Sequence, residues 1–289
     1  MPSFPRCEEC EDVFQGRYDV VDVLGQGSFG IVFQAQRKND RELRAVKRLD
    51  LDSATLPRAA REVTTITSIG RHSGYIFFDE VFWKEHKTGS AGHMYICMEL
   101  CEQNTLKDWI KGNRTARSRP WMLMKDWIKQ LACALDHLHS NNFIHRDLKP
   151  ENVFFARDSQ FKKLKIGDFG LTTRAIEGLK DWKQRTQSQE AGQNHTAGAG
   201  TPSYMAPEQI RNQYNEKVDI FALGLIAAEL IIINTPSDEM GTNDIIRSGQ
   251  WPIAWQDYPD AIEFLSQLTH MNPTMRPSAV EVSMHPFVQ

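Results

Sequence analysis

Residues 145–152 read HRDLKPEN, between SNNFI (140–144) and VFF (153–155). Eight positions hold His145, Arg146, Asp147, Lys149 and Asn152, each able to carry or bind charge. Pro150 sits among them; it lacks an amide donor and restricts Lys149, so no regular helix runs through. The stretch reads as a rigid loop whose polar side chains converge on one charged group.

The chain changes character on either side of this loop. RYDVVDVLG (17–25), IVFQAQR (31–37) and RELRAVKRLDL (41–51) read as strands, the first two joined by a glycine turn. In PRAAREVTTITSIG, Ala59, Val63, Ile66 and Ile69 recur every three or four residues, with Pro57 near the start and Gly70 at the stop, which predicts a helix. YIFFDEVFWKE and HMYICMEL predict a hairpin around HKTGSAG. Past about residue 103 the pattern is helical. WMLMKDWIKQLACALDHLHS (121–140) puts Trp127, Ile128, Leu131, Leu135 and Leu138 on one face, and further helices are expected at 219–233 and 260–270. The expectation is an α+β fold, β-rich first and mainly helical after, with a cleft near 99–103.

Composition narrows the class. The 289 residues are 40% hydrophobic and 25% charged, ordinary for a globular chain long enough for two lobes. A net charge of −3 offers no nucleic-acid surface, so no direct nucleic-acid binding is expected. MPSFPRCEECED lacks the apolar core of a signal peptide, and the longest apolar run, Ile220–Ile233, is shorter than the roughly 20 residues of a membrane span. No membrane association is expected. Five cysteines suit free thiols in a reducing, cytoplasmic setting. Cys7 and Cys10 form a CxxC with no second ligand pair; a frayed terminus accounts for it better than a metal or redox site.

Four further pieces carry chemistry. LGQGSFGIV (24–32) places Gly25, Gly27 and Gly30 between strands, so the backbone is able to approach a phosphate; alone, a plain hairpin explains it equally. Lys47 follows on the next strand, on one face with Ala45; among apolar neighbours it needs a partner, and Glu62 is the candidate, although two solvated charges would also account for them. LKIGDFGL (164–171) reads as a strand ending at Asp168, whose carboxylate suits a hard cation such as Mg²⁺, with Asn152 as a second oxygen donor. Asp147 is then placed to accept a hydroxyl proton and Lys149 to neutralise a transferring phosphoryl group. APE follows at 206–208.

In this order the set resembles the signature of eukaryotic protein kinases. The resemblance implies a bilobal kinase domain over 17–289 after an extension at 1–16: an N-lobe at 17–98, a hinge at 99–103 and a C-lobe at 104–289. It implies ATP and Mg²⁺ as cofactors. The nucleotide would lie against Leu24, Gly25, Gln26, Gly27, Ser28, Phe29, Gly30, Ile31, Val32, Ala45, Lys47, Met98, Glu99, Cys101 and Phe154. Met98 would be the gatekeeper, and Glu99 and Cys101 the hinge. Lys47, Glu62, Asp147 and Lys149 would be catalytic, and Asn152 and Asp168 metal ligands. Ile66, His145 and Phe169 would stack as a packing spine, Glu208 would pair with Arg276, and Asp219 would anchor the catalytic loop.

Lys149 and Thr201 resemble the serine/threonine class. MELCEQNTLKDWI, KIGDFGLTT, HTAGAGTPSYMAPEQI and NPTMRPS are similar to kinases of the alpha subunit of translation initiation factor 2. That family implies this subunit as substrate, repression of translation under stress, and Thr196 as an activating phosphosite paired with Arg146. Some members dimerise through an arginine and an aspartate four apart before the first strand. Val13–Arg17 has no such pair, so a homodimer stays open. The region after LGLIAAEL matches only loosely. A serine/threonine kinase with another substrate and a pseudokinase scaffold are the alternatives; the second conflicts with the presence of Lys47, Asp147 and Asp168.

Overall fold

The computed structural model describes residues 16–27, 30–52, 55–85, 92–115, 118–175, 201–210, 214–232, 243, 246, 251 and 258–289. Contacts divide the chain into two compact units. One takes the chain to Arg71 together with Ile76–Gln103; the other takes His72–Tyr75 and Asn104–Gln289.

The first unit is an antiparallel sheet of β1 (Tyr18–Gly27), β2 (Gly30–Arg37), β3 (Leu43–Leu51), β4 (Phe78–Glu85) and β5 (Gly92–Glu99), in the order β1-β2-β3-β5-β4. Alternation along the strands separates two apolar clusters. Tyr18, Ala35, Val46, Tyr95 and Cys97 form one, with Phe82 packed on it. Leu49, Leu51 and Ile96 form the other with Ala59, from helix α1 (Leu56–Ile69). Burial pushes the Cys97 thiol up to about 12, so it stays a neutral, small core residue.

Pro57 lies in the first turn of α1, and Gly70 ends it at φ +77°, as the sequence predicts. The buried stripe of α1 differs from the apolar pattern. Ala59, Glu62, Thr65 and Ile69 are buried, whereas Val63 and Ile66 are half-buried. The helix is turned so that Glu62 lies inside, because the Lys47 ammonium below it needs a charged partner.

The second unit is built on two long helices, α3 (Trp121–Ser140) and α5 (Lys217–Ile231). The bounds of α3 match the sequence reading, and its five predicted apolar residues are all buried. Helix α5 is buried almost all round, the environment its unbroken apolar run requires. It starts two residues earlier than the apolar pattern suggests, where the Asn215 side chain accepts the Lys217 N–H at 3.1 Å. The shorter helices are α2 (Leu106–Gly112), α4 (Pro207–Ile210), α6 (Pro259–Leu268) and α7 (Ala279–Met284). Thr105 with Asp108, and Ser278 with Glu281, form capping boxes on α2 and α7. Short strands frame the loop 145–152: β6 (Phe143–Ile144) pairs with β9 (Thr173–Arg174), and β7 (Val153–Phe155) with β8 (Leu164–Ile166). Among the described residues no helix is long and apolar enough to cross a membrane.

Candidate active site

In the first unit, β1 and β2 converge at Gly27 opposite Gly30. Gly30 has φ +135°, and a Cβ there would lie 1.8 Å from the Arg48 carbonyl oxygen, so only glycine fits. A Cβ on Gly25 would meet nothing within 4 Å, so packing does not require that glycine. Leu24 is half-buried and Gly25 and Gln26 are exposed; Ser28 and Phe29 lie outside the described residues.

Strand register sorts the other predicted nucleotide contacts. Val32 opposes Lys47, and Ala45 opposes Met98, so these four share one sheet face. Ile31 opposes Arg48 and is 4% exposed, on the other face. The period of two therefore removes Ile31 from the group the sequence assigned it to. Lys47 Nζ donates to Glu62 Oε1 at 2.7 Å and Oε2 at 3.0 Å. Glu62 is 3% exposed, so the pair is an internal one and not two solvated charges. The Glu99 N–H donates to the Phe77 carbonyl at 2.8 Å, and its carboxylate accepts the Phe77 N–H at 2.6 Å. Of the two predicted hinge residues, Glu99 is thus tied into its own unit, while Cys101 is half-buried and outside any disulfide.

In the second unit, the loop after β6 is organised by Asp219, 1% exposed on α5. Its carboxylate accepts the N–H groups of His145 at 2.8 Å and Arg146 at 2.9 Å, and lies 2.9 Å from His139 Nε2. Arg146 has φ +70°, a turn that aims two consecutive amides at one carboxylate. Burial alone would raise the Asp219 carboxyl. The hydrogen bond and charge of His139 and the His145 amide outweigh burial and hold it below the usual carboxylate range.

Asp147 is 8% exposed and its two oxygens are fully engaged. Oδ1 accepts the Thr201 N–H at 2.8 Å and the Thr201 hydroxyl at 2.9 Å. Oδ2 accepts Lys149 Nζ at 2.9 Å and Asn152 Nδ2 at 3.2 Å. Lys149 Nζ also donates to Thr201 Oγ1 at 2.5 Å. The sequence reading treats Asp147 as free to take a proton. In the structure four donors already occupy the carboxylate, the longest contact being that from Asn152 at 3.2 Å.

Asn152 Nδ2 also donates to the Asp147 carbonyl at 2.9 Å. Asn152 Nδ2 thus makes two donor contacts, and the side-chain oxygen is the atom able to serve as a ligand. Asp168 follows β8 by two residues and has φ +58°, a left-handed turn that Asp tolerates better than most residues. That turn is why the strand stops at Ile166 and not at Asp168. Asn152 and Asp168 are hard oxygen donors, and two protein donors suit a small cation that keeps water and phosphate in its shell. Among the described residues no group of three His, Cys, Asp or Glu is placed to hold a metal ion.

Packing completes the site. The His145 and Phe169 rings meet edge-on at 5.5 Å, and Tyr75 meets Phe169 edge-on at 5.4 Å. His145 Nε2 donates to the Gly167 carbonyl at 3.2 Å, which leaves Nδ1 to accept the Asp147 N–H at 3.4 Å. Ile66 and Phe154 are half-buried, each in its own unit. Arg276, 2% exposed, grips Glu208 through two bonds of 2.5 and 3.0 Å, as the sequence predicts.

Arg146 is already engaged. Its Nε donates to the Leu171 carbonyl, and its Nη1 donates to the Tyr214 hydroxyl at 2.9 Å. Thr196, the phosphosite expected to pair with it, lies outside the described residues.

Four polar or aromatic supports escaped sequence reading: Tyr75, His139, Tyr214 and Gln209, whose Nε2 donates to the Arg146 carbonyl at 2.8 Å. Only Gln209 falls inside a quoted motif, and its role is not read from it; His139, Tyr214 and Gln209 act across separations of 63 to 80 residues.

An ammonium–carboxylate pair on the sheet of the first unit and, in the second unit, a carboxylate bonded to Lys149 and Thr201 are features of a phosphoryl-transfer class of protein. The chain matches the protein kinase domain over residues 18–288 and belongs to that family. Protein kinase domains use ATP and a divalent cation. The chain is 43% identical over 249 residues to the eukaryotic translation initiation factor 2-alpha kinase pek-1 of Caenorhabditis elegans, covering 83% of this chain and 23% of that protein. It is 33% identical over 292 residues to the interferon-induced, double-stranded RNA-activated protein kinase of Rattus norvegicus, covering 94% and 52%. It is 36% identical over 193 residues to eukaryotic translation initiation factor 2-alpha kinase 3 of Bos taurus, covering 66% and 17%. The chain thus spans about half or less of the length of these relatives.

Proposed function

We propose that this chain transfers the γ-phosphoryl group of ATP, with Mg²⁺, to a serine of the alpha subunit of translation initiation factor 2. The observation that carries phosphoryl transfer is the Asp147–Lys149–Thr201 cluster, held by Asp219. The relatives named for that substrate support the choice of acceptor, and a substrate of the translation machinery implies work in the cytoplasm.

Lys47, fixed by Glu62, would bind the α and β phosphates. The glycine loop would bring backbone amides to them. Asn152 and Asp168 would hold Mg²⁺, which when bound neutralises charge on the phosphates. Asp147 would orient the acceptor hydroxyl and take its proton. Lys149 would stabilise charge on the transferring group while still contacting Thr201. Orientation is worth roughly 7–11 kcal/mol in well-placed reactions. General-base help contributes about 10²–10⁴-fold. The crowded hydrogen bonding of Asp147 fits a residue that positions more than it deprotonates.

The test is transfer of labelled phosphate to the intact alpha subunit and to its serine-to-alanine form. Labelling lost with the alanine form supports the assignment. Labelling of a generic protein but not of this subunit moves the chain to another serine/threonine branch. No transfer to any acceptor makes it a scaffold.

A further inference from the structure

The Thr201–Asp147 contact depends on a segment that is pinned from below. Thr201 to Tyr204 form a single tight turn, with the Tyr204 N–H on the Thr201 carbonyl at 2.9 Å and Pro202 fixing the backbone inside it. Tyr204 is 5% exposed. Its hydroxyl donates to Glu229 Oε1. Lys107 Nζ, from α2, lies 3.1 Å from the Tyr204 oxygen and 3.0 Å from Glu229 Oε2, and 5.8 Å from the centre of the Tyr204 ring. Asn243 Nδ2 reaches Glu229 Oε1 at 3.5 Å.

Glu229 is the one acid of the apolar run 220–233, and its side chain is 12% exposed. A buried carboxylate needs a compensating charge as well as hydrogen bonds. Tyr204 and Asn243 are neutral. Among the described residues the ion pair on Glu229 comes from Lys107. The ion pair on the Glu229 carboxylate is therefore supplied by Lys107, while the Arg119 guanidinium donates to the Glu229 backbone carbonyl at 2.7 Å.

We propose that Lys107 is a positioning residue for phosphoryl transfer. By neutralising Glu229 it keeps Tyr204 seated, and so keeps Thr201 against Asp147. This rests on the kinase reading above. It predicts that Lys107→Met lowers kcat about tenfold, the scale of a misplaced reacting group, with KM for ATP unchanged. Lys107→Arg retains most of the activity. The double variant Lys107→Met/Glu229→Gln recovers kcat relative to Lys107→Met, because a neutral amide needs no cation and its carbonyl still accepts from Tyr204.

Three measurements on the whole chain decide it: steady-state kinetics, melting temperature, and amide hydrogen exchange over 201–206. Faster exchange in Lys107→Met that the double variant reverses supports the proposal even if no acceptor protein has been identified. Wild-type kcat in Lys107→Met, or a loss that the double variant deepens, overturns it. Unchanged exchange at 201–206 in Lys107→Met also overturns it, whatever the turnover. If the wild type itself transfers no phosphate, the kinase reading fails, and the exchange data still decide whether Lys107 positions the segment.

Discussion

Removing the Asp219 carboxylate strands three donors at once: the amides of His145 and Arg146, and His139 Nε2. Asn supplies only one acceptor oxygen and presents an amine where amides already point. Asp219→Asn is expected to destabilise the chain by about 2–4 kcal/mol, read from urea midpoints. At the chemical residues the expectation is different. Lys47→Arg keeps the charge but not the point geometry that Glu62 clasps with bonds of 2.7 and 3.0 Å. Lys47→Arg, Asp168→Asn and Asp147→Asn should each cut phosphate transfer by about 10²-fold or more in a labelled-phosphate assay. Near-normal turnover of Asp168→Asn would remove Asp168 from the metal site.

At the level of elements, α5 passes α6 with no room to spare. A Cβ on Gly224 would lie 2.6 Å from Thr269 Cγ2 and 2.9 Å from Leu268 Cβ. Gly224→Ala should therefore lose about 1–3 kcal/mol through overpacking, outweighing the gain in helix propensity, and calorimetry reads the difference. Ser278 caps α7 reciprocally with Glu281, and Ser278→Ala should cost about 1 kcal/mol by the same measurement. Apolar patterning located α1, α3, α5 and α6, because spacing and packing agree. It misjudged the face of α1, where an internal salt bridge and not apolar area sets the rotation. It also missed where β8 stops, because a left-handed turn at Asp168 has no signature in hydrophobic spacing.

For the molecule as a whole, acid sensitivity follows from carboxylates held below their ordinary range. Asp219 is one. Asp108 and Glu281, held down first by the Thr105 and Ser278 side chains, are the others in helix caps. A depressed carboxyl stabilises the fold at pH above its unfolded value and loses that contribution as pH falls through the folded value. Urea midpoints should thus stay level from neutral pH to about 4, near the ordinary carboxylate value, and fall below it. Asp219→Asn should start lower and fall less over the acid range. An equal acid fall in that variant would show that Asp219 does not drive the loss.

What the sequence by itself determined is the order of the residues proposed to bear the chemistry: the glycine loop, Lys47, Glu62, Asp147, Lys149, Asn152 and Asp168. That order, resembling the kinase signature, carried the reading, with Pro150 marking the loop. Tertiary structure alone decided the partners: Asp219 beneath the loop, Thr201 on Asp147, Tyr214 on Arg146, Lys107 on Glu229, and Ile31 turned from the Lys47 face. Buried polar groups must be satisfied wherever a partner comes within hydrogen-bond reach. That reach is set by folding in three dimensions, and no period along the chain encodes it.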